Sequence, residues 1–500
     1  MKRWLIPGLI SSGLITALMF PGRFYLDTPL IPELMAQKLF ATITPKLFSF
    51  FIGLLGFYAK PLAFIASLVI FIAFMTALGT LFPFALKLFK GRAKGAGLIY
   101  SLAIWALFAF AFLPALDAGV LGAKLRAGAL LSAGSMLVLF IIYSLLLIWV
   151  GRGLKRDTTF DYDRRAMAKG LAWGLITLGL LKSLPKGAEG AGVVSDDIFS
   201  KMKGLSPEVT PTQDFYTVSK NVFDPKVNAI KWSLQIKGLV KNPYTLNLNQ
   251  LMALPAIEQY ATLICISNEV GGDLIGNAKW RGVPLRLLLE RAGIKEGASE
   301  LILRAYDGYS DSFPLKKALE DGVILAYAMN GWLLTHTHGY PARLIVPGIY
   351  GMKNVKWLTE LELTDHDFKG YWQERGWSDE AIIKTTSRID LPKDGATLRR
   401  EDRYIAGIAF AGDRGISKVE VSTDGGATWR EAIIKKALSP YSWALWALEW
   451  EPYKEIKGGQ ASIVVRATDG KGRLQESQKT SALPDGASGL HTIRVKVEKV

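Results

Sequence analysis

Hydrophobic residues crowd the first third of this 500-residue chain and then thin into alternating patterns. Apolar stretches near 4–20, 62–86, 96–116, 128–150 and 168–184 each approach the roughly 20 residues that cross a bilayer's hydrocarbon core. They predict an N-terminal α-helical membrane domain over 1–186 with about five transmembrane helices. A further apolar run, 47–58, is closed by Pro61 and has the length of an interfacial or re-entrant piece. Read as a full span, it would reverse the sidedness deduced below.

Beyond 186 the texture changes. Residues 187–213 are polar, with Gly and Pro, and read as a linker. Over 214–388 helical and strand patterns alternate. Leu285 to Gly293 reads as a short amphipathic helix with a glycine cap, and Ala342 to Pro347 as a buried strand stopped by proline. This mixture predicts an α+β domain. Over 389–500 polar and apolar positions alternate: Ser417 to Ser422, Ser462 to Thr468 and His491 to Val497 read as strands. Asp424-Gly425 and Asp469-Gly470 supply tight-turn signals. Several such strands predict an immunoglobulin-like β-sandwich, an architecture that more often packs or dimerises than catalyses.

Charge sharpens the division. Residues 1–186 hold 20 Lys and Arg against 6 Asp and Glu, a net of +14, while the remaining residues hold 40 against 38, a net of +2. The basic excess belongs to the apolar part. A nucleic-acid protein would show a basic face on its soluble domain, so the pattern argues for no nucleic-acid partner. The basic residues cluster at Lys2-Arg3, around Lys87 to Lys94 and from Arg152 to Lys169. Placing these clusters inside gives a cytoplasmic N-terminus, a multi-pass cell-membrane protein and an extracytoplasmic remainder. Asp163-Arg164-Arg165-Ala166-Met167-Ala168-Lys169 ahead of the last span is similar to a twin-arginine export signal, which serves proteins exported already folded. The competing reading is an ordinary basic flank. None of the four histidines (His336, His338, His366, His491) lies in the first 186 residues, so a histidine-ligated haem is not expected there. The spans carry almost no mid-span charge, which speaks against a transporter. Anchoring is the role left to them.

Cys265 is the single cysteine, and an internal disulfide is therefore impossible. It follows the strand-like Thr262-Leu263-Ile264 and opens into Ile266-Ser267-Asn268 and Gly271-Gly272. A lone cysteine is ordinarily a small, buried, inert residue. At a strand end facing a cleft, its thiolate is a soft ligand for a transition metal. A thiol nucleophile would need a histidine base nearby, and the sequence assigns none.

The order of segments and several separate stretches resemble the sulfite oxidase family of molybdenum enzymes. They are Thr262 to Asn268, Leu325 to Gly331, His338-Gly339-Tyr340-Pro341-Ala342-Arg343, Val346 to Gly351, Asn354-Val355-Lys356-Trp357 and Gly415 to Ser422. The resemblance covers about 210–500. It implies Mo-molybdopterin as cofactor, a molybdopterin-binding oxidoreductase domain over 214–388, and a dimerisation domain over 389–500. It also implies that Cys265 ligates molybdenum. His338 and Arg343 match positions that hold pterin and phosphate, and Asn354, Val355 and Lys356 match the loop that completes the phosphate site. Ser219, Lys220 and Asn221 occupy the place of a cofactor-contacting arm where the family usually has an arginine, and Asp307 lies near a further pterin contact. His336 reads as a loop residue.

The departures bear on the substrate. Where the family places an arginine after the metal cysteine, this chain has Asn268-Glu269-Val270. The family's active-site tyrosine falls in Trp372-Gln373-Glu374-Arg375-Gly376-Trp377, where Trp377 replaces it. Binding a dianion in a partly dry pocket requires neutralising charge, and losing cations while gaining Glu269 works against sulfite. The pocket therefore points toward a neutral or cationic oxo donor or acceptor. One branch of the family reduces methionine sulfoxide, but its members lack the C-terminal sandwich. The expectation is a membrane-anchored, extracytoplasmic molybdenum oxidoreductase that transfers oxygen atoms, with catalytic Cys265, Lys220 and Trp377. It would exchange electrons with a separate carrier, a cytochrome or quinone, and could form a homodimer. The alternatives are a sulfoxide reductase-type activity and a membrane-tethered scaffold that keeps the fold.

Overall fold

The computed structural model describes residues 4–43, 47, 59–89, 92–153, 198–399, 402–456 and 459–497. Its chain divides into two compact units, one of Met1–Lys38 and Leu62–Ser200, the other of Leu39–Pro61 and Lys201–Val500.

The first unit is helical: α1 (Leu5–Leu26), α2 (Ile31–Thr42), α3 (Ala59–Leu88), α4 (Ala93–Leu107) and α5 (Gly128–Gly153). Among the described residues, four helical stretches are long and apolar enough to cross a membrane: Leu5–Leu26, Ala59–Leu88, Ala93–Ala115 and Gly128–Arg152. The expected span at 168–184 lies outside the described residues, as does all but Leu47 of 47–58. The short α2 was not expected. Its pattern is interrupted by Pro32, Glu33 and Lys38, which hides it from a search for long apolar runs.

The helices bury aromatic residues such as Phe71, Phe82 and Phe140 together with small and hydroxyl ones, while Leu9, Leu14, Ile65, Val69, Ile70 and Val138 are exposed. Ser12 Oγ lies 2.9 Å from Thr76 Oγ1, and Ser101 Oγ donates to Ser144 Oγ at 2.8 Å. A Cβ added to Gly79 would fall 2.9 Å from the Cα of Gly8, so these backbones touch. Small residues and hydroxyl bonds are the means by which helices associate without a hydrophobic driving force between them.

In the second unit, β1 (Ser233–Gly238), β2 (Tyr244–Asn247), β5 (Glu300–Ala305), β6 (Ser310–Pro314) and β10 (Leu358–Thr364) form a five-stranded sheet in the order β2-β1-β10-β5-β6. Only β1 and β10 pair in parallel there. A second, antiparallel sheet runs β3 (Ile257–Ile264), β4 (Ile275–Pro284), β7 (Ile324–Met329), β8 (Trp332–Leu333), with β9 (Arg343–Ile345) also on β7. The predicted amphipathic helix is present as α6 (Leu285–Ala292). It buries Leu285, Leu288, Leu289 and Ala292, and Gly293 follows it at φ +69°. This is the i, i+3, i+4, i+7 spacing of a single apolar face.

Part of the stretch that reads as a linker is tied to this domain. Thr210 N–H donates to Asn277 O at 2.8 Å, and Asn330 Nδ2 donates to Thr210 O at 3.0 Å.

The C-terminal strands build two sheets. One is β11 (Thr386–Leu391), β13 (Tyr404–Phe410), β17 (Ala444–Glu449), β16 (Ile433–Ile434), in that order. The other is β12 (Thr397–Leu398), β19 (His491–Val497), β18 (Gln460–Asp469), β14 (Ile416–Ser422), β15 (Arg430–Glu431). Ile405, Trp446 and Leu448 from the first meet Val419, Val421, Ile463, Val465 and Ile493 from the second in one core. The alternation of Ser417 to Ser422 gives that result directly, since Val419 and Val421 face inward while Lys418 is on the opposite, more open face. The tight turn expected at Asp424-Gly425 is instead a loop from 423 to 429. The Asp424 carboxylate shapes it by accepting from Ala427 N and Thr428 N, both at 2.9 Å.

Candidate active site

Strand β3 ends at Ile264, and its burial deepens from the exposed Ile257 to the fully covered Ala261–Ile264. Cys265 follows, 9% exposed, with its N–H donating to Leu274 O at 2.9 Å. That bond extends the β3–β4 register by one rung, Asn268 N–H then closes a turn onto Cys265 O at 3.0 Å, and the thiol lies on the wall of a cleft of about 910 Å3, counting its open mouth. Burial pushes the thiol pKa up, and Ser267, whose Oγ lies 3.0 Å from Sγ, pulls partly against it. A ligand able to replace that proton would find a soft sulfur held ready.

The cleft also has a cationic end. Arg343 on β9 is 5% exposed, and its Nη1 and Nη2 donate to His338 O at 3.2 Å and Asn354 O at 3.1 Å. Its Nε is buried without a hydrogen-bond partner, and among the described residues no carboxylate forms an ion pair with it. Burial brings its pKa down to about 10. A buried guanidinium without a counter-charge is costly unless an anion supplies one. Lys356 stands beside it, donating to Thr337 O at 2.9 Å, and burial lowers its pKa to about 8. Gly339 permits this crowding: at φ +105°, a Cβ there would sit 3.1 Å from the Cβ of Arg343 and 3.0 Å from that of Lys356.

His338 is 4% exposed, and burial takes its pKa down to about 4. The ring is therefore neutral at pH 7. Its Nε2 lies 2.9 Å from Thr212 O, which fixes the proton on Nε2 and leaves Nδ1 an acceptor. Asn354 is 1% exposed and spends its Oδ1 on Val346 N at 2.6 Å, which holds β9 against the 351–356 loop. Val355 adds a buried apolar side chain to the same wall.

Across the cleft, Ser219, Lys220 and Asp307 also contribute to the lining. Lys220 Nζ donates to Asp307 O at 2.8 Å and to Asn221 Oδ1 at 3.1 Å. Asn221 does not line the cleft itself. Its Nδ2 donates to Asp307 Oδ2 at 2.6 Å, so it orients that carboxylate. Lys220 is thus engaged with Asp307 and Asn221.

Trp377 lines the cleft at 8% exposure, its ring 5.6 Å from that of Trp372. Together they make an aromatic wall. Glu269, expected from the sequence to bring negative charge into the pocket, does not line it and is exposed. The stretch after Cys265 therefore brings no carboxylate into the cleft lining.

Sequence reasoning did not single out Phe215, Tyr216 and Tyr309, all of which line the cleft. Tyr309 donates its hydroxyl to Asp311 Oδ2 at 2.7 Å. Its neighbour Asp307 had been noted, and the aromatic two residues on was the available signal. Taken together, the site offers an anion-accepting end, a neutral polar centre and a thiol, a donor set that fits a phosphate-bearing ligand carrying a soft metal.

Comparison with known proteins agrees with that donor set. A family model described as "Oxidoreductase molybdopterin binding domain" matches residues 221–372, and one described as "Mo-co oxidoreductase dimerisation domain" matches 380–497. Mitochondrial sulfite oxidase of Drosophila melanogaster is 30% identical over 319 residues, covering 53% of this chain and 55% of that protein. A nitrate reductase (NADH) of Solanum lycopersicum is 27% identical over 308 residues, covering 49% and 34%. Sulfite oxidase of Arabidopsis thaliana is 30% identical over 277 residues, 46% of this chain and 70% of that protein. Among solved structures, the sulfane dehydrogenase SoxCD from Paracoccus pantotrophus superposes with a TM-score of 0.51 at 25% identity, covering 59% of this chain and 85% of that one. The chain spans about half the length of the Drosophila relative and a third of the tomato one.

Proposed function

Because the chain belongs to the sulfite oxidase family of molybdopterin-dependent oxidoreductases, we propose that its cleft performs oxygen-atom transfer with Cys265 as the protein ligand to molybdenum. The cofactor, Mo-molybdopterin, supplies two-electron exchange of an oxygen atom between water and substrate when bound. The chain's own residues do the rest. Arg343 and Lys356 bind the phosphate, with Asn354 and Val355 fixing their loop. His338 presents Nδ1 to the pterin. Lys220, Asn221 and Asp307, with Ser219, form the opposing arm. Trp377 and Trp372 shield the reacting centre from water.

The observation that carries this reading is the buried Arg343, which lacks a counter-anion and opens on the same cleft as the single thiol. Its first test is molybdenum content of the purified full-length protein beside Cys265→Ser. Near-stoichiometric metal in the wild type, with lost activity or an altered metal spectrum in the variant, supports it. Metal-free wild type from cells with an intact cofactor pathway sinks it, and a membrane-tethered scaffold then leads.

For substrate, the cleft favours a neutral sulfur compound over sulfite. In the oxidative direction a thioether sulfur gains the oxygen atom of one water molecule and becomes a sulfoxide, releasing two protons and two electrons. The reverse would be a sulfoxide reductase. The aromatic pair Trp372–Trp377 and the engaged Lys220 support this preference. Electrons then pass to or from a separate carrier, a cytochrome or quinone. The apolar side chains exposed on the four long helices support membrane anchoring, and the basic clusters support an extracytoplasmic cleft. The Mo-co dimerisation domain, read as an immunoglobulin-like sandwich, supports a homodimer.

A further inference from the structure

The C-terminal domain holds the chain on both sides of Cys265, at Thr262 before it and at Gly271 and Gly272 after it. On the strand side, Thr262 N–H donates to Tyr441 O at 2.9 Å, and Thr262 Oγ1 accepts from Trp443 N at 2.9 Å. Strand β3 is an edge strand of its sheet, so this segment of the C-terminal domain covers the edge that leads into the thiol.

On the loop side the grip is a single arginine. Arg388, on β11, donates through Nη1 to Gly272 O at 2.7 Å, through Nη2 to Ser206 Oγ at 2.8 Å, and through Nε to Asp390 Oδ1 at 2.8 Å. Asp390 closes the circuit by accepting from Ser206 N at 3.1 Å. The guanidinium is thus held flat in a three-way fork, and one tine holds the loop. The loop transmits the hold. Gly272 N–H donates to Glu269 O at 2.8 Å, Leu274 N–H to Asn268 Oδ1 at 2.8 Å, and Asn268 N–H to Cys265 O at 3.0 Å. His491 seals the other face. Its Nδ1 accepts from Ile389 N at 3.0 Å, and its ring lies where a Cβ on Gly271 would have to go, 2.4 Å from Cδ2.

We propose that Arg388 is a positioning residue for the metal-ligating thiol, fixing from the C-terminal domain the loop on which Cys265 sits. This rests on Cys265 being the ligand. The chain then needs its second domain for more than association: without the fork, the thiol keeps its strand but loses the geometry of its loop.

The single cysteine makes this testable without the metal. In the full-length chain prepared cofactor-free, maleimide reports on Cys265 alone. Arg388→Ala should label about tenfold faster than wild type because the loop opens locally. Arg388→Lys, which keeps the charge and one donor, should fall between them and covers the case in which the alanine variant does not fold. Arg466→Ala removes an ion pair to Glu420 in the same domain, away from the loop, and should label at the wild-type rate. In the molybdenum-loaded protein, Arg388→Ala should shift the Mo(V) electron paramagnetic resonance signal at unchanged metal content. Wild-type labelling in both Arg388 variants, or equal acceleration in Arg466→Ala, overturns the proposal while leaving the ligand assignment intact. An unchanged Mo(V) signal in Cys265→Ser removes the ligand assignment, and the positioning role falls with it.

Discussion

Lys353 and Asp311 form an ion pair at 3.1 Å with their side chains 1% and 0% exposed, behind the wall that Tyr309 gives to the cleft. Lys353 Nζ also donates to Ser312 O at 2.6 Å, and Tyr309 donates to the other carboxylate oxygen at 2.7 Å. The pair is fully desolvated and every charged atom is met. Removing one partner strands the other, and breaking such a pair typically costs about 3–5 kcal/mol. Lys353→Met should therefore lower the thermal midpoint by many degrees, and Lys353→Met with Asp311→Leu should recover part of the loss. If the double variant is no more stable than the single one, the pair is not the cause.

His338 should make the fold sensitive to acid. An unfolded histidine titrates near pH 6.5, whereas burial holds His338 at about 4. Between those values the unfolded chain binds more protons than the folded one, so stability rises with pH. The contribution of neutral His338 is complete above pH 6.5 and lost as pH falls toward 4, up to about 3 kcal/mol. Thermal midpoints of wild type and His338→Gln should converge as pH drops through that window. A gap that stays constant from pH 7 to 4.5 rules this out.

Arg343 should show opposite signs in two measurements. Arg343→Met removes a buried charge that has no counter-ion in the protein, so the cofactor-free chain should gain about 1–3 kcal/mol. The same variant should lose most of its molybdenum, because the phosphate has lost its fork. Arg343→Lys should not restore loading, since an ammonium's donors all sit on one atom and cannot reproduce the planar fork that reaches His338 O and Asn354 O while facing a ligand. Retained metal in Arg343→Met would contradict the assignment.

Gly339→Ala should be damaging although nothing but hydrogen is replaced. The position lies at φ +105°, where an L side chain is strained, and the new Cβ meets Arg343 and Lys356. A loss of about 1–2 kcal/mol in thermal stability is expected, together with weakened cofactor retention. Equal loss of stability without any loss of metal would mean that the glycine serves only the turn.

Much of the architecture was legible because it rests on periodicity. Val419 and Val421, or Leu285, Leu288 and Ala292, declare their faces locally, and the strands and helix appear where those patterns lie. The cleft was legible only through the resemblance. Arg343 looks like an ordinary surface cation until the fold buries it with no carboxylate paired to it among the described residues. Lys353 and Asp311 escaped notice for the same reason, since partners 42 positions apart leave no local trace. Glu269 is exposed and off the cleft, which its sequence did not reveal because the sign of a charge says nothing about which way its loop points it. Asp424-Gly425 suggested a two-residue turn, but a carboxylate that satisfies two backbone N–H groups supports a longer loop just as well.

Cys265 is shielded, and burial favours its protonated form. The thiolate is the species that attacks disulfides and that peroxides oxidise. With no second cysteine in the chain, the remaining hazard is a cross-link between two molecules. A thiol kept protonated and covered is slow in that reaction too. Before the metal arrives, burial and protonation therefore slow the oxidation of the one sulfur on which the site depends.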